Sequence, residues 1–203
     1  TGATPDMEAI LTNVLSQTGP EETSAVLDAV CTGSLYDSEL YELLEYALGE
    51  KAEKAVLILS KIAASGQFAV LNARQLELAL AGGQRSVQER LAVWEALQQF
   101  RFDAKAMETV VSRYLCEGAD ASEDRRTLLE QLLPRLEVIP PASLERYLLT
   151  CTLDGAGKPE LLRLLFSLEK MRPSFYNGAL GKYLRKSPDE PEVSRAVTQA
   201  LIE

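Results

Sequence analysis

Apolar residues recur along the chain with a fixed beat. The pattern L-x-x-[A/Y/V]-L appears as Leu11-Thr-Asn-Val14-Leu15, Leu44-Glu-Tyr-Ala47-Leu48, Leu76-Glu-Leu-Ala79-Leu80, Val111-Ser-Arg-Tyr114-Leu115, Leu144-Glu-Arg-Tyr147-Leu148 and Leu180-Gly-Lys-Tyr183-Leu184, in steps of 33, 32, 35, 33 and 36 residues. A second column runs between these: Val26, Ile58, Val93, Leu128, Leu164 and Ala196, each followed at once by Leu27, Leu59, Trp94, Leu129, Leu165 or Val197. Four residues after each start comes Val30, Ile62, Leu97, Leu132, Leu168 or Ala200. Spacings of i, i+1 and i+4 mark one face of a helix. Each period therefore holds two amphipathic helices, type A carrying the second column and type B the first.

Punctuation between the columns agrees with helix hairpins. Pro5, Pro20, Pro159 and Pro191 fall where a first helical turn tolerates a missing N–H, and Ser122 before Glu123-Asp124 reads as an N-cap followed by acids that suit the helix dipole. Gly49, Gly82-Gly83, Gly118 and Gly155 follow type B helices as stops, and Pro134 with Pro140-Pro141 closes helix A and fills the loop of the fourth period. The expectation is about twelve helices. Gln67 to Leu71 is apolar enough for a strand but reads as a short turn, so no strand is expected.

A single αα-hairpin cannot bury its own apolar faces, whereas a stack of hairpins makes a continuous core. The period thus predicts an all-α protein: a right-handed α-solenoid of about six αα-hairpin repeats, with residues 1–203 as one domain. The first helix, about Pro5 to Gln17, is of type B and the last, about Glu192 to Ile202, of type A. The units are B-then-A hairpins, or the domain continues into a longer solenoid.

The stretch Leu91-Ala-Val-Trp94-Glu-Ala-Leu97-Gln-Gln-Phe-Arg-Phe-Asp103 through Leu115 resembles the heptatricopeptide and FAST-kinase-like repeats of organellar RNA-binding proteins. That resemblance implies an α-solenoid and, as its functional consequence, single-stranded RNA binding. The α/β nuclease-like domain that many such proteins carry has no counterpart in the sequence, and the tetratricopeptide and ankyrin signatures are absent too.

Composition narrows the chemistry. Histidine is absent from all 203 residues. That removes the commonest general base, the Ser-His and Cys-His pairs and the usual zinc and haem ligands. Cys31, Cys116 and Cys151 are odd in number and lack C-x-x-C spacing, so no disulfide framework or metal site is expected. They point to an intracellular reducing compartment, the cytoplasm or the interior of a mitochondrion or other organelle. The expectation is a non-enzyme without cofactor or metal. No apolar run approaches the roughly 18 residues of a membrane span, and no secretory leader is visible. A start at Thr1 fits an excised piece, with removal of a leader as the other reading.

Charge supplies the candidate surfaces. The formal net charge is −9, yet residues 1–50 contain ten acids and no base. Of these, Asp37, Glu39, Glu42 and Glu45 cluster in one type B helix and are the candidate docking face for a basic protein partner. Residues 158–186 hold seven bases against two acids, with Lys170, Arg172, Lys182, Arg185 and Lys186 as the candidate basic patch. Interleaved Phe166, Phe175, Tyr176 and Tyr183 could stack on bases, although Phe166 and Tyr183 fall in helix cores. The acidic and basic ends also suit head-to-tail self-association. Glu21-Glu22 and Asp189-Glu190-x-Glu192 read as helix starts, Cys116 and Cys151 as small buried residues, and Tyr114, Tyr147 and Tyr183 as a packing ridge, with a ligand-reading ladder as the other choice. The functional expectation is a protein-interaction scaffold or subunit of a larger assembly, with an organellar single-stranded-RNA-binding module as the alternative.

Overall fold

The computed structural model describes residues 6–33, 35–67, 69–81, 85–117, 122–136, 139–150, 157–168 and 173–200. Among these it is almost entirely helical. The elements are α1 (Met7–Ala9), which runs into a π-helical segment Ile10–Leu15, then α2 (Pro20–Cys31), α3 (Asp37–Gly49), α4 (Ala52–Ala64), β1 (Val70–Leu71), α5 (Ala73–Ala81), α6 (Val87–Leu97) and β2 (Arg101–Phe102). There follow α7 (Ala104–Glu117), α8 (Ser122–Leu132), a 3-10 turn Leu133–Arg135, α9 (Pro141–Thr150), α10 (Gly157–Ser167), α11 (Pro173–Lys186) and α12 (Pro191–Ala200). From α2 on, even-numbered helices carry the type A column and odd-numbered ones the type B signature, whose first copy, Leu11 to Leu15, lies in the π-helical segment.

Local chemistry explains the boundaries. Ser86 and Glu89 form a capping box: Ser86 Oγ accepts from the Glu89 amide at 3.3 Å and Glu89 Oε2 accepts from the Ser86 amide at 2.7 Å. Asn72 and Gln75 exchange the same pair of bonds at the start of α5, and Asp103 Oδ1 takes the Ala106 amide at 2.6 Å at the start of α7. Pro20, Pro141, Pro173 and Pro191 are first helical residues. Pro141 thus opens α9 instead of filling the loop, and Pro159 lies inside α10. Helix α8 begins at Ser122 itself. After α4 the chain turns through Gly66, whose φ of +74° is open to glycine at little cost. Gly82-Gly83, Gly118 and Gly155 lie outside the described residues.

The expected absence of strands needs one correction. Val70–Leu71 and Arg101–Phe102, from the A-to-B connectors of successive periods, pair in parallel, and the Asp103 amide donates to Leu71 O at 3.1 Å. Two extended connectors lying side by side satisfy each other's backbone groups. Trp94 packs on Phe102 there, ring centroids 5.3 Å apart.

The residues group into two compact units, Thr1–Ala106 and Met107–Glu203. In the first, α2, α4 and α6 pack in a row, α1, α3 and α5 in another, and α3–α4 and α5–α6 join as hairpins. In the second, α8, α10 and α12 form a row and α9 packs on α11. The alternation is what stacked hairpins require. Their cores are the repeating columns: Leu27, Leu59, Trp94, Leu129, Leu165 and Val197 are all buried, as are Leu15, Leu48, Leu80, Leu115 and Leu148. In the last period the matching leucine, Leu184, is 56% exposed.

Candidate interaction surface

The acidic residues of α3 have unequal roles. Asp37 opens the helix and is exposed, beside a cavity of about 360 Å³ that Cys31, Gly33, Ser65 and Gln67 also line. Burial, helped by Asp28, pushes the Cys31 thiol pKa up, which disfavours the thiolate. Glu39 reaches back to the Tyr36 amide at 2.8 Å and serves as the helix cap. Glu45 pairs with Arg74 of α5 at 3.1 Å. Glu42 is exposed, and its i,i+3 spacing to both neighbours puts 39, 42 and 45 along one stripe. Of the remaining acids in residues 1–50, Glu22 Oε2 accepts from the Gly19 amide at α2, and Asp28 pairs with Lys61 of α4 at 2.5 Å.

The basic stretch is partly consumed by the fold. Lys170 and Arg172 lie outside the described residues. Lys182 holds Glu145 of α9 at 2.8 Å. Arg185 and Lys186 are exposed in the last turn of α11, where cations suit the dipole, and the Arg185 guanidinium folds back over Gly181. Tyr147 and Tyr183 are fully buried and Tyr114 half-buried, so the tyrosine column packs as a ridge and presents no ladder to a ligand. Phe166 is half-buried, while the side chains of Phe175, Tyr176 and Cys116, and all of Cys151, lie outside the described residues.

Lys158 is the base that reasoning from sequence misplaced. Counted there as surface charge, it is 0% exposed. Its ammonium donates to both Asp189 carboxylate oxygens at 2.7 Å and to Leu148 O at 3.1 Å. Tyr183 Oη donates to Asp189 Oδ2 at 2.7 Å, and Ser187 Oγ accepts from the Asp189 amide. Burial, with the Asp189 carboxylate adding to it, holds the Tyr183 phenol above its ordinary pKa. Asp189, expected as a helix-start acid, is therefore the counter-ion of a buried lysine that joins α9, α10, α11 and the loop before α12.

The same device recurs. The carbonyl of the last signature leucine, one of the orphan acceptors at a helix C-terminus, takes a cation from a type A helix or its start. Lys54 donates to Leu15 O, Arg85 Nη2 to Leu48 O at 2.8 Å, Arg125 Nη1 to Leu115 O at 3.5 Å and Lys158 to Leu148 O. Arg85 and Arg125 are buried with Lys158. Burial lowers the Arg85 pKa, and its Nε and Nη1 have no hydrogen-bond partner. A signal for these braces did exist, since Arg125 and Lys158 each stand ten residues after the leucine they cap. In the first unit the cation instead comes from 37 or 39 residues on, which hides the rule.

Between α7 and α9 lies a polar groove of about 390 Å³ with Ser112, Arg113, Ser143 and Arg146 among its lining. Among the described residues no group of three or more Cys, Asp or Glu side chains could hold a metal ion, and no helix is long and apolar enough to cross a membrane. No protein-family model, no curated protein and no solved structure matches the chain. The likeness to heptatricopeptide and FAST-kinase-like repeats thus rests on helix spacing alone.

Proposed function

We propose that the chain is a non-enzymatic helical-repeat scaffold, or a subunit of a larger assembly, that binds a protein partner with basic character along α3. The repeat architecture behind the proposal is a right-handed solenoid of about six hairpins, and its support is the alternation of helix rows within each unit. The observation that carries the functional part is the exposed Glu42, flanked by Glu39 and Glu45 on one stripe, in a 50-residue stretch that holds ten acids and no base. Such a surface steers a basic partner at long range. The alternative, single-stranded RNA binding in an organelle, draws on the basic stretch, but there Lys158 is buried and Lys182 already holds a carboxylate.

Reversal of Glu42 to Lys, the change that leaves the cap and the Arg74 pair in place, tests the reading against Lys186→Glu. The expected outcome is loss of partner capture with Glu42→Lys alone and no RNA affinity in any variant. A measurable RNA affinity that falls steeply with salt and disappears in Lys186→Glu overturns the scaffold reading, because phosphate contacts impose that salt slope.

A further inference from the structure

In the cavity of about 360 Å³ beside the start of α3, the hydroxyl and amide donors of the lining side chains are already spent, and the acceptors are not. The Thr32 hydroxyl donates to Ala29 O and the Ser65 hydroxyl to Ile62 O, each at 2.7 Å, while Gln67 Nε2 donates to Gly33 O at 3.1 Å. Each group keeps oxygen lone pairs for an incoming donor. Gln67 Oε1 is enclosed and has no hydrogen-bond partner, so it carries the desolvation penalty of an unmade bond. Asp37 is exposed, and among the described residues no hydrogen bond or ion pair holds its carboxylate. Tyr36, between the lining residues Leu35 and Asp37, is 65% exposed, and Val70 of the next connector 48%. Tyr41 Oη donates to Val70 O at 3.3 Å and ties that connector to α3. Lys61, whose charge reaches Cys31, is taken by Asp28 at 2.5 Å, and residues 1–50 supply no base.

We infer that this cavity anchors a lysine side chain of a basic partner protein, the ammonium entering among the acceptors of Asp37, Gln67, Thr32 and Ser65 and the stem lying along Tyr36. These acceptors come from four separate residues. An ammonium directs three donors at separate points, whereas a guanidinium fork needs a planar pair. Gln67 as a whole is half-buried, so its amide can turn to give Oε1 the donor it lacks. The exposed Tyr36 ring adds cation–π attraction at the rim, and the surrounding acids draw the charge in. The inference rests on the scaffold reading and deepens it: the α3 stripe steers the partner, and this cavity fixes one of its residues.

The test uses the full, ¹⁵N-labelled chain titrated with hexalysine and with its ε-acetylated form at about 0.1 M salt, where a Debye length near 10 Å screens the distant acids. Hexalysine is expected to shift the amides of residues 31–33, 35–40 and 65–67, and the acetylated peptide, equal in length but without the charges, to leave them unmoved. Asp37→Asn and Tyr36→Ala, the second of which keeps the amide that Glu39 caps, should each weaken hexalysine by about threefold or more, as loss of one exposed charge or aromatic contact does. Gln67→Met removes the unpaired acceptor and should do the same. Should it disturb the turn at Gly66, the other two variants still decide. Glu42→Lys separates the two surfaces, since it is expected to lower the affinity through the stripe while the cavity amides still respond. Shifts confined to the stripe, or an affinity unchanged in both Asp37→Asn and Tyr36→Ala, overturn the cavity and leave the α3 result standing. Equal shifts with the acetylated peptide overturn the ammonium as the anchored group, and no hexalysine binding at any amide of α3 overturns both readings.

Discussion

At the residue scale, burial decides what an ion pair contributes. Lys158 and Lys182 both hold carboxylates at 2.7–2.8 Å, but the Lys158 side chain is 0% exposed and that of Lys182 54%. Removal of Lys158 leaves Asp189 and Leu148 O without their cation in a low-dielectric site, which costs about 3–5 kcal/mol. Removal of Lys182 leaves Glu145 to water and costs at most about 1 kcal/mol. Urea unfolding of Lys158→Ala and Lys182→Ala should show this contrast, and equal losses would refute the buried-brace account. Glu89 gives a second prediction. Hydrogen bonds from the Ser86 amide and hydroxyl hold its carboxyl below the ordinary range. A depressed folded pKa stabilises the protein above the unfolded value of about 4.3, and that contribution disappears as pH falls through the lower folded value. Melting curves of wild type and Glu89→Gln should therefore differ at pH 6 and converge below about pH 4, whereas a constant gap would point to packing.

At the scale of the element, the two neighbouring columns of a type A helix are both buried in α4, α6 and α8, but in α2, α10 and α12 only the second is. Leu164 starts the column in α10 and is half-buried, while Leu165 is fully buried, as is the matching residue of every other type A helix. Leu165→Ala is expected to cost about 2–5 kcal/mol and Leu164→Ala clearly less, measured by chemical denaturation; the reverse order would mean that the helix is rotated. The face was legible in the sequence because i, i+1, i+4 spacing marks it, and from α2 on the helices of the described residues lie where the two columns put them. Which of two adjacent apolar residues lies deeper depends on the neighbour's packing, and that is not written locally. The β1–β2 pair escaped for the same reason: two residues each, they acquire partners only when connectors 31 positions apart come together. The candidate acids of α3 were legible as charge, but the separation of Glu39 as a cap and Glu45 as an ion-pair partner from the exposed Glu42 required coordinates. The buried cations stayed hidden because lysine and arginine at a helix start read as surface.

At the scale of the whole molecule, stability should be regional. Each unit has its own buried columns and its own cation braces, Lys54 and Arg85 in Thr1–Ala106 against Arg125 and Lys158 in Met107–Glu203. Helices packed in rows pass a perturbation mainly to their neighbours, so the chain opens in contiguous cooperative pieces instead of all at once. Loss of the Leu165 side chain weakens α10 where it meets α8 and α12. In hydrogen exchange, Leu165→Ala should speed the amides of α8 to α12 while those of α2 to α4 keep their wild-type protection. The mirror substitution, Leu59→Ala in α4, should do the opposite, speeding α2, α4 and α6 and sparing α10 and α12. Paired variants matter, since a single one cannot separate a weak region from a generally weakened chain. If either substitution accelerates all these helices by the same factor, the protein unfolds as one cooperative block and the nearest-neighbour description of its stability is wrong.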